Sequence, residues 1–211
     1  MSINCQALGV TANQQKAIVL VANKLMTGLS IDKETAAGII SYLMGESGLD
    51  PNAWAAGVGD NIWYSSLSRA PYNKLVSYDV NTWPSTGPQY KDKKGNIKTV
   101  TGFGIAAWVF YKAEATKYFK TRGNFNLDTQ VDFFISELLP GGKRNEVMQQ
   151  IKKYVTSSGV DKVKEVGMAF LFSYGRPYTS DQYKGGEAVD VSIKSFQKRC
   201  GYGITAYNLI K

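Results

Sequence analysis

Apolar residues recur at helical spacing at both ends of this 211-residue chain, whereas the middle of the chain lacks that period. Apolar positions three or four residues apart predict helices with one buried face. The segments with this spacing are residues 13–27, 32–45, 104–121, 127–139, 143–157, 160–174 and 186–200. The sequence therefore predicts a mainly α fold, and the length suits a single globular domain over residues 1–211.

The middle of the chain, residues 55–102, is rich in Gly, Asn, Ser and Pro and carries many aromatic residues. A long irregular insertion in a compact domain is usually either functional or mobile. Within it, KDKKGNIKTV places a Lys-Gly-Asn turn signal between polar segments, which is typical of a β-hairpin. We predict an irregular lobe with a β-hairpin, inserted between helices.

The formal charge is +8, and residues 143–211 contribute most of it, with 12 Lys and Arg against 6 Asp and Glu. Such a bias favours a polyanionic partner, for example nucleic acid, anionic lipid or an anionic cell wall. A solvated basic surface explains the charge equally well. Nucleic acid is the weaker interpretation, because the basic residues are not interleaved with the aromatic-rich stretch.

The chain has no histidine, which excludes His-containing zinc sites and every Ser-His or Cys-His catalytic pair. We expect neither a metal nor a cofactor. There are two cysteines, Cys5 and Cys200. Cys200 continues the apolar series Val189, Ile193 and Phe196 at helical spacing, which favours a buried reduced thiol over a disulfide with Cys5.

The first residues, MSINCQALGV, lack a basic segment followed by an apolar run, so we expect no secretory signal. No stretch approaches the roughly 18 apolar residues that span a bilayer. We therefore expect a soluble protein with no membrane partner.

The stretch GIISYLMGESGLDPNAW, residues 38–54, places a carboxylate at the end of an apolar helix. Glu46 follows apolar residues three, four and seven positions before it, so it shares their buried face. Partial burial raises the pKa of a carboxyl group, as a general acid working near neutral pH requires. Gly48, in a left-handed cap, and Pro51 then end the helix. An ion pair between Glu46 and a buried Arg or Lys is the alternative interpretation.

Four segments, taken in order, resemble the phage tail lysozyme family of the lysozyme-like superfamily, which also holds goose-type lysozymes and lytic transglycosylases. Members of the phage tail lysozyme family carry the motifs MGESGLNPNAW and GIAQW, a later helix with Gln and Glu-Leu, and a late YERP motif. The corresponding segments here are residues 44–54, 104–108, 130–138 and 170–177. The resemblance covers about residues 13–200 and implies a lysozyme-like helical domain. It also implies cleavage of the β-1,4 bond between N-acetylmuramic acid and N-acetylglucosamine in peptidoglycan.

The resemblance assigns roles to residues of the first two segments. Glu46 would be the general acid that protonates the glycosidic oxygen, and Ser47 would orient it. The backbone of Gly104 and Ile105, together with Trp108, would line the opposite wall of the cleft.

The late segment adds Tyr174, expected close to the acid, and Arg176, expected at the cleft edge. Two positions depart from the family pattern: Ala107 replaces the Gln of GIAQW, and Gly175 replaces the Glu of YERP. The first change removes a polar side chain expected near the sugar, and the second removes a carboxylate.

The aromatic residues of the lobe fit a saccharide cleft, because Trp and Tyr faces pack on sugar rings while their polar tips bond hydroxyls. We expect this role for Trp63, Tyr64 and Trp83. A small core that holds the lobe together is the alternative.

Glycoside hydrolysis ordinarily uses a second carboxylate. Asp60, Asp79 and Asp92 are the candidates, and Asp60, between glycine turns in GVGDN, is either aimed into the cleft or makes a local Asx turn. Without a second carboxylate, the substrate's own hydroxyl attacks and a 1,6-anhydro product forms, as in a lytic transglycosylase. Glu46 would then act first as acid and next as base.

Together these observations predict an enzyme that degrades peptidoglycan glycan strands. By family analogy it would be carried in a phage virion, at the tail or ejection apparatus, next to other virion proteins, and would act at the host cell wall or periplasm. A non-catalytic structural or wall-binding virion protein remains the alternative.

Overall fold

The computed structural model of the protein describes residues 5–56, 75–92, 94–109, 111–174 and 196–211, and the backbone of 63–64 and 193–195. The chain forms two compact units. The first unit comprises Met1–Gly45 and Phe134–Lys211, and the second unit comprises Glu46–Phe133.

Helices dominate the described residues, as the sequence predicts. They are α1 (Ala12–Leu29), α2 (Lys33–Ser47), α3 (Lys112–Arg122), α4 (Leu127–Leu138), α5 (Asn145–Tyr154), α6 (Gly159–Ala169) and α7 (Ile193–Leu209). A π-helical segment, Phe170–Tyr174, continues α6, and a short 3-10 helix covers Val80–Thr82. The strands are β1 (Trp54–Ala55), β2 (Trp63–Tyr64), β3 (Gln89–Lys91), β4 (Ile97–Thr99) and β5 (Gly102–Phe103). The mainly α fold with an inserted hairpin is confirmed.

Capping residues explain where the first two helices begin and end. Thr11 and Gln14 form a capping box at the start of α1, and Ser30 ends that helix in the left-handed conformation, with φ 52°. Asp32 Oδ1 accepts a hydrogen bond of 2.9 Å from the Thr35 amide at the start of α2. The two helices are therefore joined by a tight, locally specified connection.

Close helix packing around α2 forms the core of the first unit. A Cβ atom added to Gly38 would lie 2.5 Å from the Cβ of Val166 in α6, and one added to Gly203 in α7 would lie 2.9 Å from the Cβ of Ser41. Side chains from Ala36 to Met44 on α2 are buried. The three helices therefore approach one another at backbone distance, which larger residues would prevent.

The N-terminal segment is fixed to α7. Cys5 and Cys200 form a disulfide with 5.9 Å between their Cα atoms. Further along, the Leu8 amide donates to Thr205 Oγ1 at 2.9 Å, and that hydroxyl donates to the Leu8 carbonyl at 2.7 Å. The prediction of a reduced Cys200 thiol is therefore wrong. Its burial is correct, but helical spacing cannot reveal a partner 195 positions away.

Short strands and aromatic side chains build the second unit. Strand β1 lies between β2 and β5 and pairs antiparallel with both, so that Trp54 is opposite Tyr64 on one side and Phe103 on the other. The ring of Phe103, in β5, packs against the rings of Trp108, Phe119 and Phe125. Aromatic packing therefore gives the irregular lobe its core.

The predicted hairpin is formed by β3 and β4, and Asp92 holds its turn. Asp92 Oδ1 accepts from the amides of Lys94 at 2.8 Å and Asn96 at 2.9 Å, and Lys98 Nζ lies 3.2 Å from Oδ2. Burial favours the neutral carboxyl, but these hydrogen bonds outweigh it and lower the pKa of Asp92 to about 2. The carboxylate is therefore a structural element of the turn.

Two predicted helices differ in their bounds. The helix expected over 104–121 begins only at Lys112, because positive φ angles at Gly104 (75°) and Ala107 (49°) turn the chain first. The helix expected over 186–200 is observed from Ile193 and continues to Leu209, and residues 186–192 lie outside the described part. No α-helix in the described part of the chain is both long and apolar enough to cross a membrane.

Candidate active site

The end of α2 presents Glu46 on a sharply turning backbone. Glu46 is the penultimate residue of the helix and its side chain is partly buried. The next turn contains two consecutive left-handed residues, Gly48 (φ 68°) and Leu49 (φ 60°). The expected conformation of Gly48 is confirmed, whereas the same conformation at Leu49 was not foreseen. A left-handed non-glycine residue costs about 1–3 kcal/mol and persists where surrounding contacts enforce it.

Ser47 supplies such contacts through its buried hydroxyl group. Ser47 Oγ donates to the Ile105 carbonyl at 2.9 Å and accepts from the Leu49 amide at 3.1 Å. The hydroxyl thus joins the turn after α2 to the segment 104–108, the second part of the family resemblance. These bonds hold the backbone next to Glu46.

Asp50, a buried carboxylate, follows Glu46 closely in the sequence. Asp50 was not among the candidate carboxylates predicted from the sequence. It is 2% exposed, and its Oδ1 accepts from the Asn52 amide at 2.9 Å, which makes an Asx turn. Burial and the negative charge of Asp50 raise the pKa of Tyr78. The Asp in SGLDP therefore has a local turn role and an electrostatic influence on the Tyr78 phenol.

Gln130 of α4 connects three backbone segments around this turn. Its side chain is fully buried, and its Oε1 accepts from the Ile105 amide at 2.9 Å. Its Nε2 donates to the carbonyls of Pro51, at 2.9 Å, and Phe125. The family resemblance marked this glutamine but gave it no role. Its contacts show that it crosslinks the turn after α2 with the segment 104–108.

Gly104 is required by the space around it. Its φ of 75° favours glycine, and an added Cβ would lie 2.7 Å from Gln130 Oε1 and against the Trp108 ring. The Gly104 amide donates to the Ala53 carbonyl at 2.8 Å. This residue therefore allows the Gln130 side chain to reach the neighbouring amide of Ile105.

Trp108 and the backbone of Ile105 are expected at the cleft wall, and the side chains of both residues lie inside the second unit. Their exposed fractions are 3% for Trp108 and 0% for Ile105. The Trp108 ring packs edge-on against Phe119, with 5.5 Å between centroids, and Phe133, with 5.3 Å. These contacts place both side chains in the core, and their contact with substrate stays a prediction.

Trp83, also expected at the cleft, has a similar setting. It is 3% exposed, its ring centroid lies 4.7 Å from that of Phe125, and its Nε1 donates to the Ser77 carbonyl at 2.9 Å. The alternative interpretation, a small aromatic core that holds the lobe, describes this residue.

Tyr174 lies in the first unit, within a buried polar cluster. Its hydroxyl donates to Glu137 Oε2 at 2.6 Å, and the Arg144 guanidinium lies 5.3 Å from its ring centre. Burial and the Glu137 charge raise the pKa of Tyr174 well above its ordinary value, so the hydroxyl keeps its proton. Its expected proximity to the catalytic acid stays a prediction. Glu137 is the Glu of the Glu-Leu pair in the family motif, which assigns it no role, and no sequence pattern marks Arg144.

Several other candidates have different outcomes. Asp60 and Arg176 lie outside the described residues. Trp63 and Tyr64 form β2, and only their backbone is described. Asp79 is exposed and caps the short 3-10 helix, where its Oδ1 accepts from the Asn81 amide at 3.0 Å. Within the described residues, no group of three or more His, Cys, Asp or Glu side chains could hold a metal ion.

Comparison with known proteins identifies the family of the chain. No curated protein and no solved structure is significantly similar to the chain. The family model described as Phage tail lysozyme matches residues 16–210, nearly the whole chain. The chain therefore belongs to the phage tail lysozyme family, which indicates a peptidoglycan-degrading enzyme of phage origin.

Proposed function

We propose that this protein cleaves the β-1,4 bond between N-acetylmuramic acid and N-acetylglucosamine in peptidoglycan, with Glu46 as the general acid. The observation that carries the proposal is the position of Glu46. It is partly buried at the end of a buried helix, and hydrogen bonds from Ser47 and Gln130 hold the following turn. A carboxyl group held in this way can deliver a proton to a glycosidic oxygen from a fixed position.

The group that attacks the sugar after Glu46 protonates the glycosidic oxygen depends on whether a second carboxylate takes part. Asp92 is occupied in the hairpin turn and Asp79 caps a helix, so neither supports a catalytic role. A hydrolase would then use Asp60 to activate water. A lytic transglycosylase would need no second carboxylate, since Glu46 could take the proton from the attacking sugar hydroxyl and a 1,6-anhydro end would form.

A pair of matched substitutions in one helix tests the role of Glu46. Glu46→Gln removes the transferable proton with little change in shape, and Glu34→Gln makes the same change in the first turn of α2. Lysis of purified cell walls, followed by turbidity, should be abolished by Glu46→Gln and kept by Glu34→Gln. Equal lysis by both variants would refute the assignment, and an inactive wild type would support a structural or wall-binding virion protein.

Family membership also supports a place in the virion. We propose that the tail or ejection apparatus carries the protein to the host wall or periplasm, where peptidoglycan strands are its substrate and other virion proteins its neighbours. The basic residues of 143–211 would hold it to anionic wall polymers or to those subunits.

A further inference from the structure

The second unit contains a groove of about 420 Å³, a size typical of small-ligand sites. It lies beside the turn that follows Glu46 and Ser47. Its polar lining residues are Asn52, Tyr78, Asp79, Asn124 and Asn126, and its apolar lining residues include Pro51, Val80 and Phe125.

The charge of the groove restricts its ligand. The chain as a whole carries +8, yet none of the described residues that line the groove is Lys or Arg. Asp79 contributes a negative charge instead. Nucleic acid or another polyanion would meet no positive partner here, so the lining disfavours a polyanionic ligand.

The lining side chains combine a flat aromatic face with carboxamides. Tyr78 is 47% exposed, which leaves part of its ring available for stacking. Asn124 Oδ1 accepts from the Thr129 hydroxyl, and Asn126 Oδ1 accepts from the Thr129 amide at 2.9 Å. Because these bonds occupy the carbonyl ends, the amide NH₂ ends are left to act as donors. An aromatic face with nearby amide donors suits a sugar ring, which has apolar faces and an equatorial rim of hydroxyls.

The groove is held by the same side chain that holds the turn near the candidate acid. Gln130 Nε2 bonds the carbonyls of Pro51 and Phe125, both of which line the groove, while its Oε1 bonds the Ile105 amide. The groove and the backbone around Ser47 are therefore parts of one hydrogen-bonded framework within the second unit.

We infer that this groove is a sugar subsite, which binds an N-acetylated sugar unit of the glycan strand by stacking on Tyr78 and by hydrogen bonding to the carboxamides of Asn52, Asn124 and Asn126. The inference rests on the proposed function for the identity of its ligand. The subsite would position the strand and would not take part in the chemistry.

Calorimetric titration with chitotetraose, a neutral β-1,4-linked N-acetylglucosamine tetramer, tests the subsite. We expect Tyr78→Ala and Asn52→Ala each to weaken binding about five- to tenfold, as loss of one stacking or amide contact would. Tyr78→Phe should keep the affinity within about twofold, because the ring remains. Val76→Ala is the matched control, since Val76 is 49% exposed, lies two residues from Tyr78 and is not part of the lining.

The outcomes separate this inference from the proposed function. Wall lysis by the wild type, with chitotetraose binding that Tyr78→Ala and Asn52→Ala leave unchanged, would overturn the subsite alone. Absence of measurable chitotetraose binding to the wild type would also overturn it. Absence of wall lysis together with Tyr78-dependent binding would refute the enzyme and keep the subsite. Equal losses for Tyr78→Ala and Val76→Ala would show a general effect on folding and would contradict the inference.

Discussion

The replacement Gln130→Met should strongly destabilise the protein, because it keeps the length of a buried side chain and removes its polar atoms. The wild-type carboxamide makes a hydrogen bond to each of three backbone groups, at Ile105, Pro51 and Phe125. At about 1 kcal/mol net for each bond, the expected loss in the free energy of unfolding is about 3 kcal/mol. Burial of the three abandoned backbone groups adds to this loss.

Urea denaturation followed by tryptophan fluorescence measures this loss by linear extrapolation. Gln149→Met is the matched control, because Gln149 is exposed on α5 and makes one side-chain hydrogen bond, to Asn145 at 2.8 Å. We expect the control to change the free energy of unfolding by less than about 0.5 kcal/mol. If Gln130→Met lowers the free energy of unfolding no more than Gln149→Met does, the three hydrogen bonds of Gln130 do not stabilise the protein as proposed.

Two further predictions concern the disulfide and the hairpin. Cys5→Ser should lower the free energy of unfolding by about 2–5 kcal/mol, because the bridge to Cys200 closes a loop with a sequence separation of 195. Reductant should lower the urea midpoint of the wild type and leave that of the variant unchanged, and a wild-type midpoint indifferent to reductant would contradict the bridge. The folded-state pKa of Asp92, about 2, lies below its ordinary value of 3.8, so its stabilising effect is full above the ordinary value and is lost as pH falls towards 2. The stability difference between the wild type and Asp92→Ala should therefore shrink across that acid window, and a difference that stays constant with pH would refute the role of the carboxylate.

Local patterns predicted the helices and the hairpin well, because their signals lie within a few residues. The apolar period placed α1, α2 and α4 close to their observed bounds. The Lys-Gly-Asn signal placed the turn between β3 and β4. The disulfide depended on the return of the N-terminal segment to α7, which no local pattern encodes. The start of α3 was predicted too early, because the apolar spacing begins at residue 104. The positive φ angles of Gly104 and Ala107 prevent a helix there.

The sequence predicted the helix end that carries the candidate acid, but it did not predict the side chains that hold that helix end in place. A carboxylate on an apolar helix face, followed by Gly48, located the end of α2 correctly. The framework around it is assembled by Gln130, a polar residue on a buried helix face far along the chain. Its spacing alone is that of an ordinary helical residue, so only three-dimensional contact reveals its role. Trp108 illustrates the opposite case, since an aromatic residue in a motif can serve packing.

Mass spectrometry of the muropeptides released from purified walls detects cleavage of the glycan strand itself. We expect the wild type to release disaccharide fragments and Glu46→Gln to release none. Reducing ends on those fragments would identify a hydrolase, and 1,6-anhydro ends a lytic transglycosylase. Undiminished release by Glu46→Gln, or no release by the folded wild type, would contradict the claim that Glu46 is the general acid of a peptidoglycan-cleaving enzyme.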